Sequence, residues 1–354
     1  MTVHACNLIS VSPSVKVANE IRNLHPFRQP PRSLQQNNER VVMTRAFVFP
    51  GQGAQTIGMG QSLAEAYPAA REVFQEVDDA LGENLSSLIW DGDIADLTLT
   101  QNAQPALMAT SMAAMAALNA EGVNLSKVGF VAGHSLGEYS ALCAANAISL
   151  ADTARLLRIR GEAMQAAVPV GVGAMAALLG LDFAGAQAVA AEAAQGEVCQ
   201  AANDNDPGQV VVSGDKAAVE RAVEIAKEKG AKRAVILPVS APFHCALMQP
   251  AADRMAEALA DVTVNAPSVP LIANVRAQAV SDSEMIKGLL VEQVTGSVRW
   301  RESIGWAAAQ GVVEVYEIGA GKALLGMIRR IDRSLECIAV NDADGVKAAA
   351  EKMG

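Results

Sequence analysis

Aromatic residues are few: three Trp, three Tyr and seven Phe in 354 residues, 4% of the chain. With 51% hydrophobic residues, the core must be built from Ala, Val, Leu, Ile and Met. Cysteine is scarce as well. Five cysteines are scattered with no Cys-x-x-Cys pair, which excludes a disulfide framework and the usual metal spacings and fits a reducing compartment. Cys143, Cys199 and Cys245 read as small buried hydrophobes. Basic residues are outnumbered, and a net charge of −10 argues against general nucleic-acid binding. No secretory apolar region opens the chain. Two uncharged stretches, 97–120 and 163–181, are long enough to span a bilayer. Thr, Gln and Asn punctuate the first, and Pro169, Gly171 and Gly173 break the second. Both read as buried parts of a soluble fold.

Histidine is the scarcity that matters most for chemistry. There are four: His4, His25, His134 and His244. Against that shortage stands one dense motif, Gly133-His134-Ser135-Leu136-Gly137, after the apolar run Val128–Val131 and before Ala141–Ala145. Gly-x-Ser-x-Gly between a predicted strand and a predicted helix is the nucleophile-elbow pattern, which lifts a serine hydroxyl to the sheet edge. It also places that serine at a helix N-terminus, where free N–H groups favour developing negative charge.

A serine hydroxyl needs a base. His4 and His25 lie in a segment that does not read as folded, and His134 precedes the serine, so its side chain is expected to point away. That leaves His244, in Pro238-Val239-Ser240-Ala241-Pro242-Phe243-His244-Cys245, a strand end where α/β folds keep functional groups. The base needs an orienting partner. Asp152, Asp204, Asp206 and Asp215 lie between Ser135 and His244, and none is singled out by context. A backbone carbonyl is the other choice, and both stay open.

A second strand–loop–helix unit, Ala46–Phe49 followed by Pro50-Gly51-Gln52-Gly53-Ala54-Gln55, could bring a Gln52 amide or a loop N–H to an oxyanion. Its plain alternative is an ordinary glycine-rich turn.

Phe49–Gln55, Thr100-Gln101-Asn102-Ala103-Gln104-Pro105-Ala106, Gly133–Leu142, Arg160-Gly161 and Pro242-Phe243-His244 follow in order. From about Met43 onward this series resembles the malonyl-CoA:acyl carrier protein transacylases of type II fatty acid synthesis. The resemblance implies Ser135 as nucleophile and His244 as general base. It implies backbone N–H groups of Leu136 and Gln52 as the oxyanion hole, and Arg160 as the bidentate partner of the malonyl carboxylate. The plain alternative for Arg160 is a solvated helix residue, like Arg155 and Arg158 beside it. The resemblance also implies that a main-chain carbonyl near Gln293 orients the histidine, although 292–300 matches more loosely. Phe243 accompanies a choice of malonyl over methylmalonyl in such enzymes. The implied partners are malonyl-CoA and acyl carrier protein, with no metal or redox cofactor, no nucleic acid and no membrane. A serine esterase or thioesterase, an acyltransferase of a polyketide pathway, and a non-catalytic carrier-docking module are the alternatives.

The expected architecture is α/β: an α/β-hydrolase-like large domain, 44–168 and 239–354, with an inserted ferredoxin-like small domain, 172–238, in βαββαβ order. Within it, Asn203, Asn205 and Asp206 of Asn-Asp-Asn-Asp-Pro-Gly read as turn formers. Gly319-Ala320-Gly321-Lys322 lacks phosphate-loop spacing and reads as a packing turn. Arg329, Arg330 and Arg333, with Lys322, form either a patch for an acidic carrier protein or a solvated helix end. Residues 1–43 carry five basic against two acidic residues, a net +3 that leaves −13 on the rest. They read as a disordered extension, from an upstream start site or, alternatively, an organelle transit peptide. The expected localisation is cytoplasmic.

Overall fold

The computed structural model describes residues 44–354; the expected disordered extension, 1–43, lies outside them. The described residues hold the strands β1 (Thr44–Phe49), β2 (Phe130–Gly133), β3 (Gly173–Leu179), β4 (Cys199–Asp206), β5 (Gln209–Asp215), β6 (Arg233–Ile236), β7 (Leu271–Ala273), β8 (Gln278–Val280), β9 (Val312–Ile318) and β10 (Glu336–Val340). They form a six-stranded sheet in the order β10-β9-β1-β2-β7-β8 and a four-stranded sheet in the order β4-β5-β3-β6.

In the large sheet every neighbouring pair is parallel except β7 with β8. A parallel sheet has both faces covered, so its strands are apolar throughout. In β1, Phe47 and Phe49 enter one core cluster with Val131 and Ile318, while Ala46 and Val48 enter another with Ala132 and Val315. The mixed α/β architecture agrees with the expectation.

The helix Thr100–Ala120 crosses the first of these cores, with 16 of its 21 residues buried. The sequence pattern predicts a start at Pro105, since Pro favours the first helical turn. The helix starts five residues earlier. Pro105 gives up one bond to a preceding carbonyl, a local loss that burial on all sides outweighs. Among the described residues no helix is long and apolar enough to cross a membrane.

The small sheet follows the expected chain order: β3, the helix Phe183–Ala194, β4, β5, the helix Lys216–Glu228, and β6. All its pairs are antiparallel. It has its own apolar core, including Leu178, Val189, Val210, Val212 and Val219.

Asn203, Asn205 and Asp206 are not turn residues. β4 runs on to Asp206, and Pro207-Gly208 alone makes the turn. Four buried polar residues in a row are tolerated there, and three of them meet a side-chain partner. Asp204 meets Arg301 at 2.7 Å, Asp206 meets Arg330 at 2.8 Å, and Asn205 meets His134 at 2.9 Å. The backbone joins in: Asp204 N–H donates to the Val298 carbonyl and Val298 N–H to that of Ala202, both at 2.9 Å. These bonds tie the small sheet to the loop and helix that follow Gln293.

Candidate active site

β2 ends at Gly133 and a helix begins at Gly137, with Ser135 on the turn at φ 53°. This is a left-handed conformation that a non-glycine residue rarely holds. The flanking glycines are required by contact. A Cβ on Gly133 would sit 1.9 Å from the Gly137 carbonyl carbon, and one on Gly137 would sit 2.3 Å from the Phe49 carbonyl oxygen. The turn is held from outside by Asn274, just after β7. Ser135 N–H donates to Asn274 Oδ1 at 2.8 Å, and Asn274 Nδ2 donates to the Gly133 carbonyl at 2.6 Å. Sequence reasoning missed Asn274. Its only signal is a polar residue at the C-terminal end of the strand that turns out to lie beside the elbow strand.

The structure brings Ser135 and His244 together across 109 residues. Ser135 Oγ lies 2.8 Å from His244 Nε2. On the far side of the ring, Nδ1 lies 2.9 Å from the Gln293 carbonyl oxygen. A carbonyl only accepts, so Nδ1 carries the proton and donates, and Nε2 accepts from the serine hydroxyl. The four acids in question are engaged elsewhere: Asp152 with Ser149 and Arg155, Asp204 with Arg301, Asp206 with Arg330, and Asp215 with the Val198 N–H. His244 is buried, and its pKa is pushed down to about 3, first by that burial and then by the Arg160 charge. At neutral pH the ring is therefore a free base. His134 points away from the serine, packs on Trp300 and meets Asn205.

Arg160 is not a solvated helix residue. It stands on the helix Leu150–Ala166 with 1% of its surface exposed, while Arg155 reaches the Ala80 carbonyl and Arg158 reaches Asn102. Its Nη1 donates to Gln104 Oε1 at 2.7 Å, and its Nη2 to Gln293 Oε1 at 2.8 Å and to Ser135 Oγ at 3.1 Å. Among the described residues its Nε has no hydrogen-bond partner, and no carboxylate bonds to the guanidinium. Gln104, a motif residue without an assigned role, donates in turn to Thr100 Oγ1, which donates to Gln52 Oε1, both at 2.9 Å. The Gln52 side chain is thus tied back to the arginine. The backbone N–H groups of Gln52 and Leu136 find no acceptor among the described residues.

Gln293 is the hub. Its main-chain carbonyl holds His244, and its side-chain oxygen faces Arg160. Its Nε2 donates to the Ser135 carbonyl at 2.9 Å and to Glu138 Oε2 at 2.5 Å. Burial pushes the Glu138 carboxyl up to about 7, against the opposing pull of the Gln293 and Asn274 bonds and the Arg160 charge. A cavity of about 350 Å³, lined in part by Gln187, Cys199, Gln200, Gly296 and Ser297, opens onto His244. Arg330 pairs with Asp206 at 2.8 Å and Arg329 Nη2 lies 3.4 Å from the Cys337 carbonyl, and both are exposed, as are Lys322 and Arg333. Among the described residues no cluster of metal-ligating side chains occurs.

The chain has known relatives. The acyl transferase domain family matches residues 46–345. The malonyl CoA-acyl carrier protein transacylase of Bacillus subtilis is 47% identical over 309 residues, 87% of this chain and 96% of that protein. The crystal structure of an acyl-carrier-protein S-malonyltransferase from Bartonella henselae superposes with a TM-score of 0.87 at 59% identity, covering 88% of this chain and all of that one. A structure of a type II PKS acyl-carrier protein in complex with its malonyl-transacylase matches with a TM-score of 0.85 at 42% identity, over 87% and 99% of the two chains.

Proposed function

The chain belongs to the acyl transferase family, among the malonyl CoA-acyl carrier protein transacylases, and on that premise we propose how it moves malonyl from coenzyme A to an acyl carrier protein thiol. The observation that carries the reading is one oxygen with two partners. Ser135 Oγ lies 2.8 Å from a free-base imidazole and 3.1 Å from a buried guanidinium. The first makes it a nucleophile; the second marks which acyl group belongs beside it.

In the first half-reaction, Ser135 Oγ attacks the thioester carbonyl of malonyl-CoA while His244 Nε2 takes the hydroxyl proton. The Gln293 carbonyl keeps Nδ1 protonated and so stabilises the imidazolium that forms. The unpaired N–H groups of Leu136 and Gln52 supply the oxyanion hole; one such donor is commonly worth roughly 10²–10³ in rate. Collapse of the tetrahedral intermediate breaks the C–S bond, and His244 returns its proton to the departing coenzyme A thiolate. In the second half-reaction His244 deprotonates the carrier's pantetheine thiol, whose sulfur attacks the malonyl-serine ester, and Ser135 leaves with the proton. Arg160 holds the malonyl carboxylate throughout. A carboxylate does not enter a dry cleft uncompensated, and Arg160 is a buried cation without an anion bonded to it. No cofactor takes part in these steps.

A water-accepting esterase would share Ser135 and His244 but leaves the buried Arg160 without a purpose. The architecture reads as an α/β-hydrolase-like domain, 44–168 and 239–354, carrying a ferredoxin-like insertion, 172–238. The order β4-β5-β3-β6 with antiparallel pairs supports the second term. A cytoplasmic site, and fatty acid or polyketide extension as the use of the product, belong to the same reading. The test is intact-mass detection of a malonyl adduct on the full chain, lost in Ser135→Ala, followed by transfer to holo carrier protein faster than hydrolysis. Hydrolysis outpacing transfer would overturn it.

A further inference from the structure

Arg160 raises a question of charge balance that the mechanism leaves unused. The guanidinium is 1% exposed, and so is the carboxyl of Glu138. They do not bond to each other. Gln293 stands between them, its Oε1 accepting from Arg160 at 2.8 Å and its Nε2 donating to Glu138 Oε2 at 2.5 Å. The second carboxyl oxygen, Oε1, is buried with no partner. An ionised carboxylate with one bare oxygen in a dry site is costly; the Gln293 and Asn274 bonds and the nearby Arg160 charge offset part of that cost.

The other groups around Glu138 cannot take over that role. From the helix Leu150–Ala166 comes Arg160; from the helix Ser283–Thr295 comes the neutral Gln293; from the end of β7 comes the Asn274 N–H, 3.4 Å from Oε2. On its own helix, Tyr139 is a neutral phenol, its pKa pushed up to about 12 by burial. His244, across the serine, is unprotonated at neutral pH. The pocket therefore contains one permanent cation and one carboxyl that can gain or lose a proton.

We infer that Glu138 is the exchangeable counter-charge of Arg160: it balances the guanidinium while Ser135 is free, and it takes up a proton from solvent when an acyl carboxylate docks on Arg160. This rests on the reading of Arg160 as the malonyl clamp. With Glu138 ionised, the free pocket is neutral. Adding a malonyl carboxylate would leave one buried negative charge in excess. Protonating Glu138 restores neutrality and gives it a hydrogen to place. Two carboxylates sharing one cation in low dielectric behave in this way, with one of them made a weaker acid. Glu138 sits near the balance point already, its pKa raised to about 7 while the Arg160 charge still favours ionisation. Neutralising that charge removes one of the influences that favour ionisation and leaves the Gln293 and Asn274 bonds alone against burial. Glu138 is a positioning residue here, since it touches neither the acyl group nor Ser135 Oγ.

The experiment mixes the full chain with malonyl-CoA in weak buffer containing a pH-indicator dye, and counts adduct on the same sample by intact mass. At pH 8 the wild type takes up about one proton per malonyl adduct, because Glu138 starts ionised. At pH 6 uptake vanishes, because the proton is already there. Proton release from the coenzyme A thiol is common to wild type and Glu138→Gln and cancels in their difference, and the variant shows no uptake. A second measurement needs no variant: the infrared difference spectrum on malonylation gains a protonated carboxyl band that shifts with ¹³C-labelled glutamate. Full adduct at pH 8 without uptake and without that band overturns this inference alone. No adduct at any pH overturns the transfer reading and this inference with it.

Discussion

Replacing Arg160 by Ala removes one cation from a pocket that has no other. The malonyl carboxylate would then be buried beside Gln104 and Gln293, whose side-chain oxygens now both point at it unpaired. Losing one partner of a buried charged pair costs about 2–5 kcal/mol. The two glutamine amides can turn their NH₂ groups inward and recover part of that, so the lower half of the range applies. About 3 kcal/mol corresponds to roughly a hundredfold loss of malonyl transfer. Acetyl has no carboxylate and loses nothing to the missing cation. The general disturbance of Gln104 and Gln293 falls on both acyl groups, so it cancels in their ratio. There is a second, signed consequence. Burial and the Arg160 charge together push His244 down; without the charge its pKa rises, and the acid limb of the acetyl-transfer profile moves to higher pH. The assay is competition between malonyl-CoA and acetyl-CoA for holo carrier protein, read by product mass in wild type and variant. An unchanged malonyl-to-acetyl ratio would refute the clamp.

His244→Ala should lower transfer by roughly 10²–10⁴-fold, with Ser135→Ala showing no adduct at all, both read by carrier-protein mass. Phe243→Ser should relax discrimination against methylmalonyl by about 1–3 kcal/mol, measured as a change in the kcat/KM ratio for the two donors. Gly137→Ala drives a Cβ to 2.3 Å from the Phe49 carbonyl oxygen, a backbone atom that cannot swing aside; a loss of about 1–3 kcal/mol should appear as a lowered Tm together with lost adduct formation. Acid should destabilise the protein through His244: its folded pKa of about 3 lies below its ordinary 6.5, so the unfolded chain binds the proton first. That contribution is intact above pH 6.5 and is lost as pH falls toward 3. It amounts to on the order of 5 kcal/mol by linkage, and denaturant midpoints in His244→Gln should show a correspondingly shallower pH slope.

The parts of this site that could be read in advance are those where side-chain identity and chemistry coincide. Ser135 was legible because an elbow needs two glycines at fixed spacing, and His244 because so few histidines compete. Arg160 and the Gln293 carbonyl came only through resemblance. A main-chain carbonyl has no residue type to recognise, and Arg160 shares its helix with two arginines of ordinary function. Asn274, Gln104 and Glu138 stayed hidden because their roles exist only after strands and helices far apart in sequence converge. The same cause explains the misread turn at 203–206. Asn and Asp signal turns when nothing else is known, and their partners Arg301 and Arg330 lie about a hundred residues downstream.

Gln293 divides its labour between two kinds of atom. Its carbonyl, which orients the base, belongs to the main chain and persists under any substitution that leaves the helix in place. The Leu136 and Gln52 N–H groups are main-chain atoms too. Its side-chain amide joins Arg160 and Gln104, the groups proposed to meet the acyl carboxylate, and is replaceable atom by atom. Apart from the Ser135 and His244 side chains, the groups that support making and breaking the ester are thus sheltered from point mutation, while the means of choosing the acyl group are open to it. Such a site can drift toward a new substrate through single steps, each of which leaves a working catalyst behind.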